Sequence, residues 1–140
     1  MSEGDIDQGQ LDRLFTSALE AAVARIEKDG HFFPLIFELR ASGVIHNLAV
    51  LDLAPINGKE EVQDRLATLL RPRAESGKIH AAAIITHRPD EKTFCVQMRA
   101  SNYSQNIEVP FKIGIEGLIK RRRRVTLGDF SASEAANAIF

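Results

Sequence analysis

The side chains that could hold a metal ion are few, and their spacing does not fit a metal site. The candidate ligands are His31, His46, His80, His87 and Cys95. Structural zinc sites use short ligand pairs such as C-x₂₋₄-C or H-x₃₋₅-H, and the sequence contains no such pair. His80 and His87 are seven residues apart, so on a regular strand they face opposite sides of the sheet. A two-ligand site between His87 and Cys95 stays open as an alternative, but we predict no metal ion and no cofactor.

Nucleophilic catalysis is the second chemistry to consider, and Cys95 is the natural candidate for it. A catalytic cysteine needs a neighbouring base and a group that orients the base. Cys95 instead lies between Phe94 and Val96 in a strand-like segment, where a lone cysteine usually serves as a small buried apolar residue. Ser101 and Ser104 occupy a turn-like segment without a G-x-S-x-G pattern. We therefore predict no catalytic residue.

The carboxylates that could act as acids or bases also have structural explanations. The pair at residues 60–61 falls in the first turn of a predicted helix, where negative charge complements the helix dipole. The pair at residues 90–91 falls in a turn. Glu38 is predicted to lie opposite His46 on adjacent strands, either as an acid–base couple or, as we prefer, as a stabilising cross-strand pair.

The most strongly charged segment is the run Lys120, Arg121, Arg122, Arg123 and Arg124. Binding to a phosphate backbone needs several cations that converge on one surface. On a strand, alternate arginines face opposite sides, so we expect that the five charges do not form one patch. We interpret the run as a charged strand edge that resists unwanted strand pairing. The alternative is a binding site for nucleic acid or another polyanion. Its helpers would be Arg71, Arg73 and Lys78.

Apolar periodicity predicts the elements that position these side chains. Apolar residues recur every three or four positions between Leu11 and Ile26, which predicts an amphipathic helix with Gly30 in the left-handed conformation at its end. The segment "RASG" separates two runs rich in Phe, Ile, Leu and Val and predicts a hairpin turn. Both faces of this hairpin, over residues 32–51, are largely apolar. We therefore expect it to be central, with helices or another subunit on each face.

The remaining segments predict a second helix and three further strands. The helix lies within residues 55–77, and Pro72 should stop or kink it near Leu70. The strands follow in residues 78–87, 93–100 and 105–114. The last of them alternates cleanly and contains Pro110, as an edge strand does. Residues 117–130 could add a short strand, and residues 131–140 could form a helical turn or a docked tail.

Length and composition indicate one domain. A chain of 140 residues with 44% apolar residues can bury its own core. We predict a disordered tail over residues 1–9 and a single domain over residues 10–140. One cysteine excludes an intramolecular disulfide, the N-terminus has no signal-peptide pattern, and the apolar runs are too short to span a bilayer. We therefore expect a cytoplasmic protein.

The net charge of −1 conceals an asymmetry along the chain. Residues 1–58 carry nine acids and four bases, which gives −5, and residues 59–124 carry eight acids and fourteen bases, which gives +6. The last sixteen residues add −2. A dedicated nucleic-acid domain is usually basic overall. The basic half could instead bind the acidic half of a second copy.

Two segments carry a resemblance to known proteins: "DGHFFPLIFELRASG" after the first helix and "GKIHAAAIITH" after the second. With the terminal "IF", they resemble a group of small bacterial α+β proteins of unknown function. That resemblance implies a fold and no activity. The order of elements also resembles roadblock-like dimerisation domains, which are non-catalytic scaffolds.

Together these patterns predict an α+β domain. We expect a single, largely antiparallel, five-stranded sheet with two main helices in the order α-β-β-α-β-β-β. We expect a non-catalytic protein that works through protein–protein contacts, as a homodimer. The alternatives are polyanion binding through residues 120–124 and a small enzyme whose site the sequence does not reveal.

Overall fold

The computed structural model describes residues 8–30, 35–48, 70–88, 92–119, 121–137 and 139–140. Within these residues the chain forms two helices and seven strands: α1 Gln8–Asp29, β1 Leu35–Arg40, β2 Ile45–Leu48, α2 (described over residues 70–75), β3 Ile79–Arg88, β4 Thr93–Ala100, β5 Tyr103–Glu116, β6 Arg122–Leu127 and β7 Ser131–Glu134. Neither described helix is both long and apolar enough to cross a membrane.

Helix α1 forms where the apolar periodicity predicts it. It begins at Gln8, so residues 8–9 of the predicted N-terminal tail belong to the helix, and residues 1–7 lie outside the described residues. Gly30 ends the helix with φ +82° and donates its N–H to the Ile26 carbonyl over 2.8 Å. This left-handed residue confirms the predicted helix end, because glycine adopts positive φ without a steric penalty.

The first hairpin has the predicted register. Ile36 pairs with Leu48, and Glu38 pairs with His46. The turn closes with a hydrogen bond from the Gly43 N–H to the Arg40 carbonyl. The prediction of a central hairpin is wrong for β2, which is an end strand among the described strands. Strand β1 is covered on both faces, since four consecutive residues, 36–39, are all buried.

The sheet is antiparallel, as predicted, but it has more than five strands. Over the described residues its order is β2-β1-β3-β4-β5-β6, and β7 also pairs with β5. The interpretation of β5 as an edge strand is wrong, because β7 pairs with its first half and β6 with its second half. Pro110 lies where the partner changes. A proline, which has no N–H to donate, fits that junction.

The sheet carries an apolar cluster on each face, and both clusters are filled by this chain. On one face α1 packs its alanines, including Ala18 and Ala22, against Ala81 and Ala83 of β3. These small side chains let the helix approach the sheet closely. The other face buries Ile36, Ile84 and Ala82 with Leu70 of α2 and Ile139 near the C-terminus. The apolar character of both faces of β1 is therefore explained within one copy.

Helix α2 continues past the predicted stop. Residues 70–75 are helical, so the helix does not end at Leu70, and Pro72 lies within it. The connection to β3 turns at Gly77, with φ +76°, where the Lys78 N–H bonds to the Arg73 carbonyl over 3.1 Å. The predicted start of this helix, including the carboxylates at residues 60–61, lies outside the described residues.

Candidate functional site

The basic run lies on a hairpin that extends beyond the rest of the sheet. Strand β4 pairs with β5 only from Tyr103 to Pro110, and residues 111–116 of β5 pair with β6 alone. Six residues of strand correspond to about 20 Å. We call residues 111–127 the arm, and residues 117–119, which follow β5, its tip. Lys120 lies outside the described residues.

Within the arm, the arginines occupy an end strand as predicted. Arg122 pairs with Glu116, and Arg124 pairs with Gly114, so these two side chains share one face and Arg123 has the other. The Arg124 Nε lies 3.9 Å from a Glu116 carboxylate oxygen, with both side chains about two-thirds exposed. A pair this long and this exposed contributes little to stability. It therefore leaves most of the arm's positive charge available to other partners.

Arg123 has a structural partner at the C-terminus of α1. Its Nη1 donates to the Lys28 carbonyl over 3.2 Å, at the helix end where carbonyls lack intrahelical partners and the dipole favours cations. A Cβ on Gly30 would lie 3.3 Å from the Arg123 Nε. The glycine that ends α1 therefore also leaves room for this guanidinium.

A second contact fixes the arm to the same helix. The Val125 N–H donates to Glu27 Oε2 over 3.0 Å, so a helix side chain satisfies a strand amide. The two contacts hold β6 beside the last turn of α1. These contacts thereby determine the positions of the neighbouring arginines.

The arm and the helix end enclose a groove of about 720 Å³. Five cations and two carboxylates line it: Lys28, Arg121, Arg122, Arg123, Arg124, Glu27 and Glu116. The formal charge of the lining is thus +5 − 2 = +3. The prediction that the basic residues would not share a patch is wrong for these four arginines. β6 is an end strand, so side chains from both of its faces can reach around the free edge.

The arm also exposes large apolar side chains, which the sequence interpretation missed. Relative exposure is 45% for Ile113, 61% for Ile115, 103% for Leu118 and 96% for Ile119. Single exposed apolar residues are common on protein surfaces, but several on one element mark an interaction surface. The available signal was "GLI", which places an apolar pair directly before the basic run.

The proposed polyanion helpers lie at the other end of the sheet. Lys78 directly precedes Ile79, which pairs with Arg40, whereas the arm leaves the sheet beyond Pro110. Arg73 is engaged in an ion pair: its Nε and Nη2 donate to the two carboxylate oxygens of Glu38 over 2.8 and 2.7 Å. The structure does not bring these helpers to the arginines of the arm.

Glu38 is the most deeply buried charged side chain of the described residues, with a relative exposure of 0%. It faces His46 across the strands, but its hydrogen bonds come from Arg73 and from Arg40, whose Nε lies 3.2 Å away. Burial raises the pKa of Glu38, and the hydrogen bonds and charges of Arg73 and Arg40 outweigh that effect and hold the pKa below its usual value. The geometry is that of a structural ion pair.

The remaining candidates are spread over the sheet. Cys95 is buried, as predicted, and pairs with Thr86 of β3. His87 pairs with Phe94, so its side chain lies on the face opposite Cys95, against the ring of Phe111 at 5.6 Å. No group of three or more potential metal ligands occurs among the described residues, and residue 31 lies outside them.

A buried guanidinium, that of Arg99, lies on the same sheet face as Cys95. Arg99 donates to the Gln105 carbonyl over 2.8 Å and to Asn106 Oδ1 over 2.7 Å. Burial lowers the pKa of Arg99, and the nearby Cys95 sulfur offsets part of that effect. These bonds join β4 to β5 and provide acceptors for the buried guanidinium.

Comparisons with protein family models, with curated proteins and with solved structures give no match. The resemblances to small bacterial α+β proteins and to roadblock-like domains therefore stay predictions.

Proposed function

We propose that this protein is a non-catalytic α+β domain that acts through protein–protein contacts, as a homodimer. The observation that carries the proposal is the arm, which presents Ile113, Ile115, Leu118 and Ile119 to solvent on one projecting element. The doubly apolar first hairpin does not support it, because this chain covers both faces of β1 itself.

The free energy gained by burying the exposed apolar side chains of the arm favours association with a partner. Burying one Leu or Ile side chain stabilises an assembly by about 1.5–3 kcal/mol, and a symmetric contact uses each side chain twice. The tip pair, Leu118 and Ile119, thus offers about 6–12 kcal/mol before the costs of association are subtracted. That range is large enough to support a specific dimer.

Sedimentation velocity across micromolar to millimolar protein concentrations tests the dimer. We expect the weight-average sedimentation coefficient to rise with concentration as monomer converts to dimer, because association follows mass action. A single monomeric species at every concentration would contradict the proposal.

Polyanion binding is the second candidate, and the groove beside the arm favours it. Four arginines and Lys28 line one space of about 720 Å³ with a net formal charge of +3. Convergent cations are what binding to a phosphate backbone requires. The net charge of the whole chain, which is only −1, and the apolar tip favour the protein-contact proposal over polyanion binding.

Charge reversal on the arm tests the second candidate. If the groove binds phosphates, a labelled single-stranded DNA should bind with a log–log salt slope of about −2, since each of roughly three contacts contributes about −0.7. The Arg122→Glu/Arg124→Glu variant should bind at least about tenfold more weakly, because it inverts two of the groove's charges.

The matched control is Arg71→Glu/Lys78→Glu, which makes the same charge change at exposed residues at the other end of the sheet. It should bind like the unchanged protein. Equal losses in the two variants would indicate a nonspecific effect of net charge, and no binding at low salt would exclude the candidate.

A further inference from the structure

We propose that two copies associate side by side along the edge formed by β6 and β7, and that each inserts the tip of its arm into a cleft of the other. This inference rests on the proposed homodimer and names its interface. It depends on three features of the described residues: an apolar cleft, its distance from the tip, and the charge of the edge.

The cleft lies between the first half of α1 and the β5–β7 part of the sheet. Its volume is about 450 Å³. Phe15, Met98, Ile107 and Phe130 line it, and Asp12 lies at its helix side. Phe130 is 52% exposed, and its ring meets that of Phe15 edge-on at 5.5 Å. The lining is mostly apolar, with Gln8, Asp12 and Thr16 on the helix side, and it is partly open, which suits an aliphatic guest such as Leu118 or Ile119.

The tip cannot fill the cleft of its own chain. Ile107 contributes to the cleft, and the tip begins at Gly117, ten residues further along. An extended strand of that length spans about 33 Å. Only a second copy can bring the two apolar surfaces together.

The sheet edge is self-complementary in charge. Strands β6 and β7 both pair with the same side of β5, β6 toward the tip and β7 toward the cleft. The β6 half carries Arg122, Arg123 and Arg124, whereas residues 125–140 contain Asp129 and Glu134 and no lysine or arginine. The edge is thus basic at one end and acidic at the other.

A two-fold axis perpendicular to the strands satisfies both the charge complementarity of the edge and the contact between tip and cleft. It reverses the second copy, so the basic end of each edge lies toward the acidic end of the other. This contact is between charged side chains and not between paired strands, because Glu27 of α1 already accepts the outward-pointing Val125 N–H of β6. The same rotation moves each tip toward the partner's cleft, since tip and cleft lie at opposite ends of the edge. A symmetric interface of this kind uses the same patch on both copies, which is why a second copy fits better than an unrelated protein.

Three variants test the arrangement by sedimentation. Leu118→Asp/Ile119→Asp alters the tip, Phe130→Asp alters the cleft, and Val44→Asp is the control. Val44 is 56% exposed, comparable with Phe130, but it precedes β2 at the opposite edge. We expect the tip and cleft variants each to weaken dimerisation at least about tenfold, as loss of a central contact does, and the control to dimerise like the unchanged protein.

Mixing the tip variant with the cleft variant gives the decisive result. Each variant alone loses both tip-in-cleft contacts of its dimer, whereas a mixed dimer keeps one, formed by the intact tip and the intact cleft. Fluorescence-detected sedimentation of one labelled variant should therefore show more dimer in the mixture than in either variant alone. If the variants dimerised poorly because they were misfolded, mixing them would not increase the amount of dimer.

The outcomes separate the two proposals. If the unchanged protein dimerises and the tip variant dimerises equally well, or if mixing restores nothing, the tip-in-cleft arrangement is wrong and the homodimer stands. If the unchanged protein is monomeric at all concentrations, both fail.

Discussion

Replacing Glu38 with glutamine should lower the free energy of unfolding by about 3 kcal/mol at neutral pH, the lower end of the effect of breaking a buried ion pair. The carboxylate is fully buried and accepts three hydrogen bonds, two from Arg73 and one from Arg40. Glutamine has a similar shape but no charge, so it leaves the two guanidinium groups without their counterion. The effect stays below the maximum because Arg73 and Arg40 retain side-chain exposures of 31% and 41%.

The same pair predicts a pH dependence of known sign. The pKa of Glu38 is lowered in the folded protein relative to its usual value of 4.5. The unfolded chain therefore binds the proton more tightly, and folding is favoured wherever the carboxyl is ionised. The contribution is fully present above pH 4.5 and is lost as the pH falls through the lowered folded-state pKa. The difference in free energy of unfolding between the unchanged protein and the Glu38→Gln variant should decrease below pH 4.5.

Urea denaturation at neutral and acidic pH, at one fixed protein concentration, measures both effects. Glu20→Gln is the matched control, since Glu20 is an exposed glutamate on α1 and its replacement should change stability by no more than about 0.5 kcal/mol. A Glu38→Gln variant as stable as this control would show that the ion pair contributes nothing to folding.

The sequence predicts backbone pairing better than side-chain partners. The centre of the "RASG" turn and the two-residue period of strands are enough to place Glu38 opposite His46, and the structure has that register. The partner of the carboxylate is nevertheless Arg73, 35 positions away on α2. Local periodicity contains no information about how a helix is placed over a sheet, so this ion pair could not be predicted.

The arm shows a second limit of prediction from the sequence. Its second strand begins in the arginine run, and solvated arginines have no alternation of apolar and polar residues. The sequence therefore allowed a short strand within residues 117–130 but did not specify its ends. β7 has the sequence "SASE" and is exposed throughout, so it lacks an apolar face as well. Pairing with β5 specifies both strands. Strand propensity reflects such a context more than an intrinsic preference of the residues.

The groove was missed for a related reason. Alternation assigns side chains to the two faces of a sheet, which is correct for Arg123 and Arg124, but it treats the strand as if it had neighbours on both sides. At a free edge the faces meet, and long arginine side chains from both can line one space. The number of strands therefore had to be known before the patch could be recognised.

Replacing Phe111 with alanine should destabilise the protein by about 3–5 kcal/mol, as large aromatic deletions in cores do. Phe111 is 4% exposed and stacks on Phe94 of β4 with ring centroids 4.3 Å apart and an angle of 11°. Its N–H also donates to the Lys92 carbonyl over 2.9 Å. It is the residue at which β5 leaves β4, so its side chain anchors the base of the arm.

Loss of this anchor should loosen the arm more than the rest of the sheet. Hydrogen exchange should accelerate at the paired amides of residues 113–116 and 122–125, while β3 and β4 remain protected up to global unfolding. Lys112→Ala is the control on the same arm, because Lys112 is exposed and its truncation should change stability by no more than about 0.5 kcal/mol. Unchanged exchange in the arm of the Phe111→Ala variant would mean that the contacts of Glu27 and Arg123 with α1, rather than the aromatic stack, hold the arm in place.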